Sequence, residues 1–203
     1  VSNNKITIKA NNVSSVESMF YNSSNFNGEV NLTISNVANA SKMFYGCSSF
    51  NQPIQFLNNK IINMSEMFYG CTFFNQHILV EDSELLTTVE SCFYDCKNFN
   101  SLVKLKTDNV TTFKNMFYRC YLYNKPLNFN TASAITFEGM LNRAQNFDNE
   151  IDFDFSSINS NTSILNMISG TNMSDRTYSR FLSNTSKTIK YNPNLPVTAD
   201  GGN

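Results

Sequence analysis

One tripeptide recurs along this chain at a nearly constant interval, and that interval limits the possible folds more than any other feature. Met-Phe-Tyr begins at Met19, Met43, Met67 and Met116, with Cys92-Phe93-Tyr94 as a variant. The first residues of successive copies lie 24, 24, 25 and 24 positions apart, and weaker copies follow at Met140 and Met167 after 24 and 27. Seven residues beyond each anchor comes an aromatic residue followed by Asn or Asp: Phe26-Asn27, Phe50-Asn51, Phe74-Asn75, Phe99-Asn100, Tyr123-Asn124 and Phe147-Asp148. A unit this short cannot bury an apolar face alone, so such units must stack on one another.

Two periodicities alternate inside the unit. Val16, Met19, Phe20 and Ser23 fall at i, i+3, i+4 and i+7, as do Ala40, Met43, Phe44 and Cys47, which predicts a short helix. The period then changes to two, at Val30, Leu32 and Ile34, at Ile78 and Val80, at Val103 and Leu105, at Leu127 and Phe129, and at Ile151, Phe153 and Phe155. Each unit therefore reads as a short helix, a tight turn carrying Phe-Asn, and a short strand. Ile6 and Ile8 supply the first strand. The expected fold is α/β: one right-handed repeat solenoid over 1–192, with about seven units, a parallel sheet on one face and short helices on the other. Ser174-Asp175 offers an N-cap, and Tyr178, Phe181 and Leu182 have helical spacing, so a capping helix is expected near 174–184. A last strand is expected near 188–191, and 193–203, with Pro193, Pro196 and Gly201-Gly202, reads as a tail or linker stub.

Composition removes several functions. Lys and Arg number 15 against 16 Asp and Glu, for a net charge of −1, so the chain lacks the cationic surplus of a phosphate-tracking surface and no nucleic-acid partner is expected. No apolar run reaches the ~18 residues of a membrane span, and no membrane insertion is expected. The start at Val1 shows neither an initiator Met nor a signal peptide, so the chain is expected to be one module of a longer protein. The polar residues are mainly 33 Asn and 24 Ser, while 18 Phe and 9 Tyr supply enough ring surface to argue for a packed core over disorder.

The repeat decides how the reactive residue types are read. Cys47, Cys71, Cys96 and Cys120 share a column with Ser23 and Ala144, so the position selects small size, and the spacing of the five cysteines fits no zinc hook. The column Asn27, Asn51, Asn75, Asn100 and Asn124 is expected to build a hydrogen-bond ladder between units. Tyr21, Tyr45, Tyr69, Tyr94 and Tyr118 form an aromatic stripe expected to be at least partly exposed; it suits contact with protein or carbohydrate, or simply finishes the convex surface.

Strand alternation defines the candidate ligand-binding face, on which Asn31, Gln55, Lys104, Lys106, Asn128, Asn130, Asp152 and Asp154 are expected to point outward. These positions vary between units while the core columns hold. Asp152 and Asp154, with Asp148 and Glu150, offer hard oxygen donors that could hold Ca²⁺, against the alternative of a solvated acidic edge; no other metal and no cofactor is expected. His77 is the only imidazole and takes the turn position of Pro53 and Pro126. With no Gly-rich phosphate loop and no well-separated acid pair, the chain is not expected to be an enzyme.

The stretches Met-Phe-Tyr-Gly-Cys-x-x-Phe-Asn-Gln at 43–52 and 67–76 resemble the BspA-like leucine-rich repeat. The likeness covers roughly residues 1–155 and extends to the segment ending at Leu182, although the Trp often found near the strand is missing here. The resemblance implies a solenoid with parallel strands on one face, in a cell-surface or secreted protein involved in adhesion, with similar arrays in viral fibres. The expected function is non-enzymatic recognition or adhesion within a larger surface-exposed protein, extracellular or at a cell or virion surface. The partner would be a protein or carbohydrate on a host or neighbouring cell, and any homo-oligomer would form through the parent protein. The competing reading is a structural or assembly module of a virion fibre or surface layer.

Overall fold

The computed structural model describes residues 5–9, 13–33, 36–54, 60–80, 82, 84–155 and 162–188. Its regular elements are the strands β1 (Lys5–Lys9), β2 (Glu29–Thr33), β3 (Ile78–Val80) and β4 (Val103–Leu105), followed by one helix, α1 (Asp175–Thr188). The expected last strand near 188–191 begins inside α1 and otherwise lies, like the 193–203 tail, outside the described residues.

The anchor segments are not helices. In each unit the backbone N–H groups alternate between two destinations. Met19, Tyr21 and Ser23 donate within the unit to the carbonyls of Val16, Ser18 and Phe20, closing successive four-residue turns. Val16, Ser18, Phe20 and Asn22 donate instead to Asn39, Ser41, Met43 and Tyr45 of the next unit. The same four donors recur at every junction up to that between 137–143 and 163–169, at 2.6–3.4 Å. An α-helix would turn all its N–H groups inward and leave none for a neighbour. Turns closed at i, i+3 mimic its apolar spacing, which is why the sequence pattern suggested short helices.

This alternation needs two left-handed residues per unit. Positive φ occurs just before the anchor, as at Ser18, Lys42 and Glu66, and three residues after it, as at Asn22, Gly46 and Gly70, all with φ of 55–70°. Such residues cannot belong to a right-handed helix. Each is the third residue of a turn, Ser18 in 16–19 and Asn22 in 20–23, the position that takes positive φ in type II.

A parallel bridge column, Ser15, Asn39, Asn63, Thr88, Thr112, Thr136 and Ser163, opens each turn segment. Its side chains also organise the turn: Asn39 Oδ1 accepts the Ser41 N–H at 3.0 Å, Asn63 Oδ1 that of Ser65 at 2.8 Å, and Thr112 Oγ1 that of Lys114 at 3.3 Å. The strands carry less of the stacking than their period suggested. Among the described residues they form two separate parallel pairs, β1 with β2 (Ile6 opposite Val30) and β3 with β4 (Ile78 opposite Val103), and a single bridge from Leu127 to Ile151. Pro53 and Pro126 stand where strands would open and have no N–H to give.

Stacking turns the repeat into ring columns. Phe20, Phe44, Phe68, Phe93 and Phe117 lie 5.2–5.6 Å apart, and each packs at 4.2–4.5 Å on its partner in the column Phe26, Phe50, Phe74, Phe99 and Tyr123. The interior rings are fully buried. Toward the carboxyl end, Phe113, Phe129, Phe137, Phe153 and Phe155 fill the strand side, and Phe181 of α1 meets Phe155 edge-on at 6.1 Å.

Gly70 provides a clean check on the left-handed positions. A Cβ there would meet nothing closer than 3.8 Å, so φ +70° alone decides the cost. Gly70→Ala should lower the unfolding free energy by about 1 kcal/mol, while Gly70→Asn, whose side chain tolerates this region, should lose about half as much or less. Urea titration measures both, and equal losses would contradict the assignment.

Candidate functional site

The strand face has the alternation read from the sequence. Ile78 and Val80 are buried and Leu79 is exposed; Leu127 and Phe129 are buried while Asn128 and Asn130 are exposed; Ile151, Phe153 and Phe155 are buried while Asp152 and Asp154 are exposed. Lys104 is exposed and Asn31 half-buried, and Gln55 lies outside the described residues. Four of the candidate residues line one shallow groove of about 520 Å³: Lys104, Lys106, Asn128 and Asn130, with Leu102 and Asp108 beside them. Two of the four are held by flanking loops. Lys106 Nζ contacts Glu84 Oε1 at 3.0 Å, and Asn130 Nδ2 donates to Asp108 Oδ1 at 2.8 Å.

Asp152 lines a second hollow of about 630 Å³, between the last strand segment and α1. The sequence reading missed the basic wall of this hollow, Arg176 and Arg180, one helical turn apart on α1. Arg180 forms an ion pair with Glu150. Asp148 Oδ1 accepts the Ser174 N–H at 2.9 Å and its hydroxyl at 2.8 Å. Hydrogen bonds from Thr177 and Ser174 hold the Asp148 carboxyl below its usual range. The acidic run is thus partly engaged in fastening the helix, and among the described residues no cluster of three or more His, Cys, Asp or Glu could hold a metal ion. The helical spacing of Arg176 and Arg180, set against four nearby acids, is the signal that could have revealed this wall.

The Asn column forms a ladder across the units. Asn27 Oδ1 accepts the N–H of Asn51 at 2.8 Å, Asn51 that of Asn75 at 2.9 Å, Asn75 that of Asn100 at 2.8 Å, and Asn100 that of Asn124 at 2.9 Å. Asn124 continues it to Asp148, and Asp148 to Ser174 at the start of α1, so one column runs from the first unit into the helix cap. His77 also has a structural partner, since its Nδ1 accepts the Leu102 N–H at 3.1 Å.

The tyrosine stripe is stacked face to face, with centroids 4.4–4.8 Å apart from Tyr21 to Tyr118. Tyr21 is 47% exposed and the other four are half-buried. A sugar stacks on a ring face, yet these faces already cover one another, so the stripe offers edges and hydroxyls. Burial and the neighbouring Tyr94 and Tyr45 push the Tyr69 phenol up to about 12.

The cysteines have a role beyond small size. Cys47 Sγ donates to the Phe20 carbonyl at 2.9 Å, Cys71 to Phe44 at 3.0 Å, Cys96 to Phe68 at 2.9 Å and Cys120 to Phe93 at 2.9 Å, each reaching the previous unit. All five thiols are free and buried, and burial raises each pKa, that of Cys47 to about 11. The thiol, not the thiolate, is the folded form, so these are poor nucleophiles. Above the unfolded-state pKa near 9 the unfolded chain loses protons that the fold retains, so stability falls as pH rises. The loss should be about 1.4 kcal/mol per thiol per pH unit until the folded-state pKa is passed. Urea midpoints at pH 8 and pH 10 measure it, and an unchanged midpoint would contradict the buried thiol column.

Among the described residues no helix is long and apolar enough to cross a membrane. No curated protein and no solved structure gives a significant match to the chain. One family model, described as "Mycoplasma protein of unknown function, DUF285", matches residues 2–101 and again 78–181. With the two matches together spanning most of the repeats, the chain belongs to the DUF285 family.

Proposed function

We propose that this chain is a leucine-rich-repeat-like solenoid of the BspA type whose work is non-enzymatic recognition, as a module of a larger surface-exposed protein. A protein or glycan ligand binds the strand face, centred on the groove of Lys104, Lys106, Asn128 and Asn130 and extending to Asp152 and Asp154. The observation that carries this reading is the division between constant and variable columns. The ring, thiol and Asn columns repeat along the stack, while the outward strand positions change from Asn31 through Leu79, Lys104 and Asn128 to Asp152. A scaffold that varies one face over an invariant core presents a specific surface. The resemblance of the Met-Phe-Tyr-Gly-Cys-x-x-Phe-Asn-Gln stretches to the adhesion repeats supports recognition outside the cell.

Glycan arrays and a panel of cell-surface ectodomains supply the probes. The expected result is a ligand whose affinity falls about tenfold or more in Lys104→Ala with Asn128→Ala, or in Asp152→Ala with Asp154→Ala, as loss of central contacts does at protein interfaces. Glu66→Ala, in the turn column, should leave that affinity unchanged. Binding that survives both double substitutions would remove the strand face as the site.

A further inference from the structure

One step in the middle of the array breaks the charge pattern that the other turn segments keep. Where charged residues face each other across a junction there, their signs are opposite, and they pair as Lys42–Glu66 at 3.6 Å and Lys114–Glu138 at 3.2 Å. The column three residues past the anchor departs from this. Gly fills it at 46, 70 and 170, whereas Asp95, Arg119 and Arg143 stand in succession between, with φ of 57–61°. Asp95 and Arg119 pair at 3.3 Å, but Arg143 stands one junction beyond Arg119, beside Gly170, and its side chain has no partner among the described residues.

Two costs oppose this arrangement. The left-handed backbone suits Gly better than Arg, and like charges on neighbouring units repel. Residues held in strained conformations cluster at functional sites.

Arg119 is fixed as if for an outside partner. Its Nε donates to the Tyr121 hydroxyl at 2.9 Å and lies beside Asp95, and its guanidinium carbon is 5.8 Å from the Tyr121 ring centroid. These contacts engage the Nε edge and leave both Nη groups without a bond among the described residues. A guanidinium held this way keeps the N–H donors that grip an oxyanion in two places. Lys97 also lies 3.8 Å from Asp95, so the cluster sets three cations against one acid.

The neighbouring groups suit a sugar. The tyrosine stripe ends at Tyr118: Tyr94 stacks on one face at 4.5 Å, and Asn142 takes the next place in the column, so no ring covers the other face. Asn142 is half-buried and Gln145 exposed, and their side-chain amides make no bond among the described residues. An aromatic face, unengaged amides and paired guanidinium groups together match a ring that carries hydroxyls and an anionic substituent.

We infer that Arg119 and Arg143, with Tyr118 and Asn142, form a second binding site, on the turn segments, for an acidic oligosaccharide. The anionic substituent, a carboxylate or a sulfate, bridges the two guanidinium groups and removes their repulsion. The sugar ring lies on the uncovered face of Tyr118, and the amides take its hydroxyls. The site uses none of the strand-face residues and stands whether or not that face binds a ligand.

Calorimetric titration of the whole chain tests this with ligand up to about 1 mM, which reaches millimolar affinity. A sulfated heparin-derived hexasaccharide and a hyaluronan hexasaccharide, which carries carboxylates alone, tell the two substituents apart. Maltohexaose is the neutral control and hexaglutamate the acidic peptide. At least one acidic sugar should bind, more weakly as salt is added, and neither control should. Arg119→Gln and Arg143→Gly should each lower the affinity about tenfold or more, while Lys42→Gln, a paired cation on an earlier unit, should leave it unchanged. Arg143→Gly should also leave the urea midpoint no lower than that of the wild type, because Gly suits the left-handed site. That variant carries the test alone if Arg119→Gln loses the wild-type circular dichroism spectrum. Failure of both acidic sugars to bind overturns the proposal, as does equal binding of maltohexaose or hexaglutamate. An Arg143→Gly chain that keeps its affinity, or that loses stability along with it, overturns it too.

Discussion

The structure depends on sending alternate backbone N–H groups to different places. Half close turns inside a unit and half cross to the next, so the segment that looks most helical is the one that ties the units together. Each crossing bond is worth only about 1 kcal/mol net, yet four occur at every junction beside the stacked rings, and no unit has to bury its faces alone. The requirement is two left-handed residues per unit, a strain of about 1–2 kcal/mol at each non-glycine position. That residues as unsuited as Lys42, Glu66 and Arg119 accept it shows that the junction, not local preference, sets the conformation.

Once the ladder fixes the register, the side-chain columns follow. Equivalent atoms lie one junction apart, so a single residue type can serve as partner to its own copy. Asn offers an oxygen to the next Asn N–H, Cys a proton to the previous Phe carbonyl, and Phe and Tyr a face to the next ring. This accounts for a composition rich in Asn and Phe and poor in charge. A charged column would place like charges side by side, and the ion pairs between units avoid this by alternating sign, as Lys42 does with Glu66.

Much of this was legible in the sequence because columns depend only on period. The ring columns, the Asn ladder and the buried thiols can all be read from spacing near 24 residues. The path of the backbone could not, because successive i, i+3 turns place Val16, Met19, Phe20 and Ser23 on one face as a helix would. The strongest contrary sign was Gly46 and Gly70 inside the supposed helix, residues that mark left-handed sites. On the candidate surface, alternation was enough to tell Asn128 and Asp152 from Leu127 and Ile151. The partners of Lys106 and Asn130 were hidden because Glu84 and Asp108 lie in the loops that follow the strands, where no residue type recurs as a column, and the basic wall of Arg176 and Arg180 was hidden because α1 is outside the repeat.

The most direct measurement is the scalar coupling transmitted through hydrogen bonds between backbone nitrogen and carbonyl carbon, read by nuclear magnetic resonance on the labelled chain. The alternation predicts correlations from the Phe44 amide to the Met67 carbonyl and from the Phe68 amide to the Cys92 carbonyl, with the intervening Tyr45 amide correlating to Lys42. Correlations from Phe44 to Ala40 and from Phe68 to Met64, the four-residue pattern of an α-helix, would contradict it.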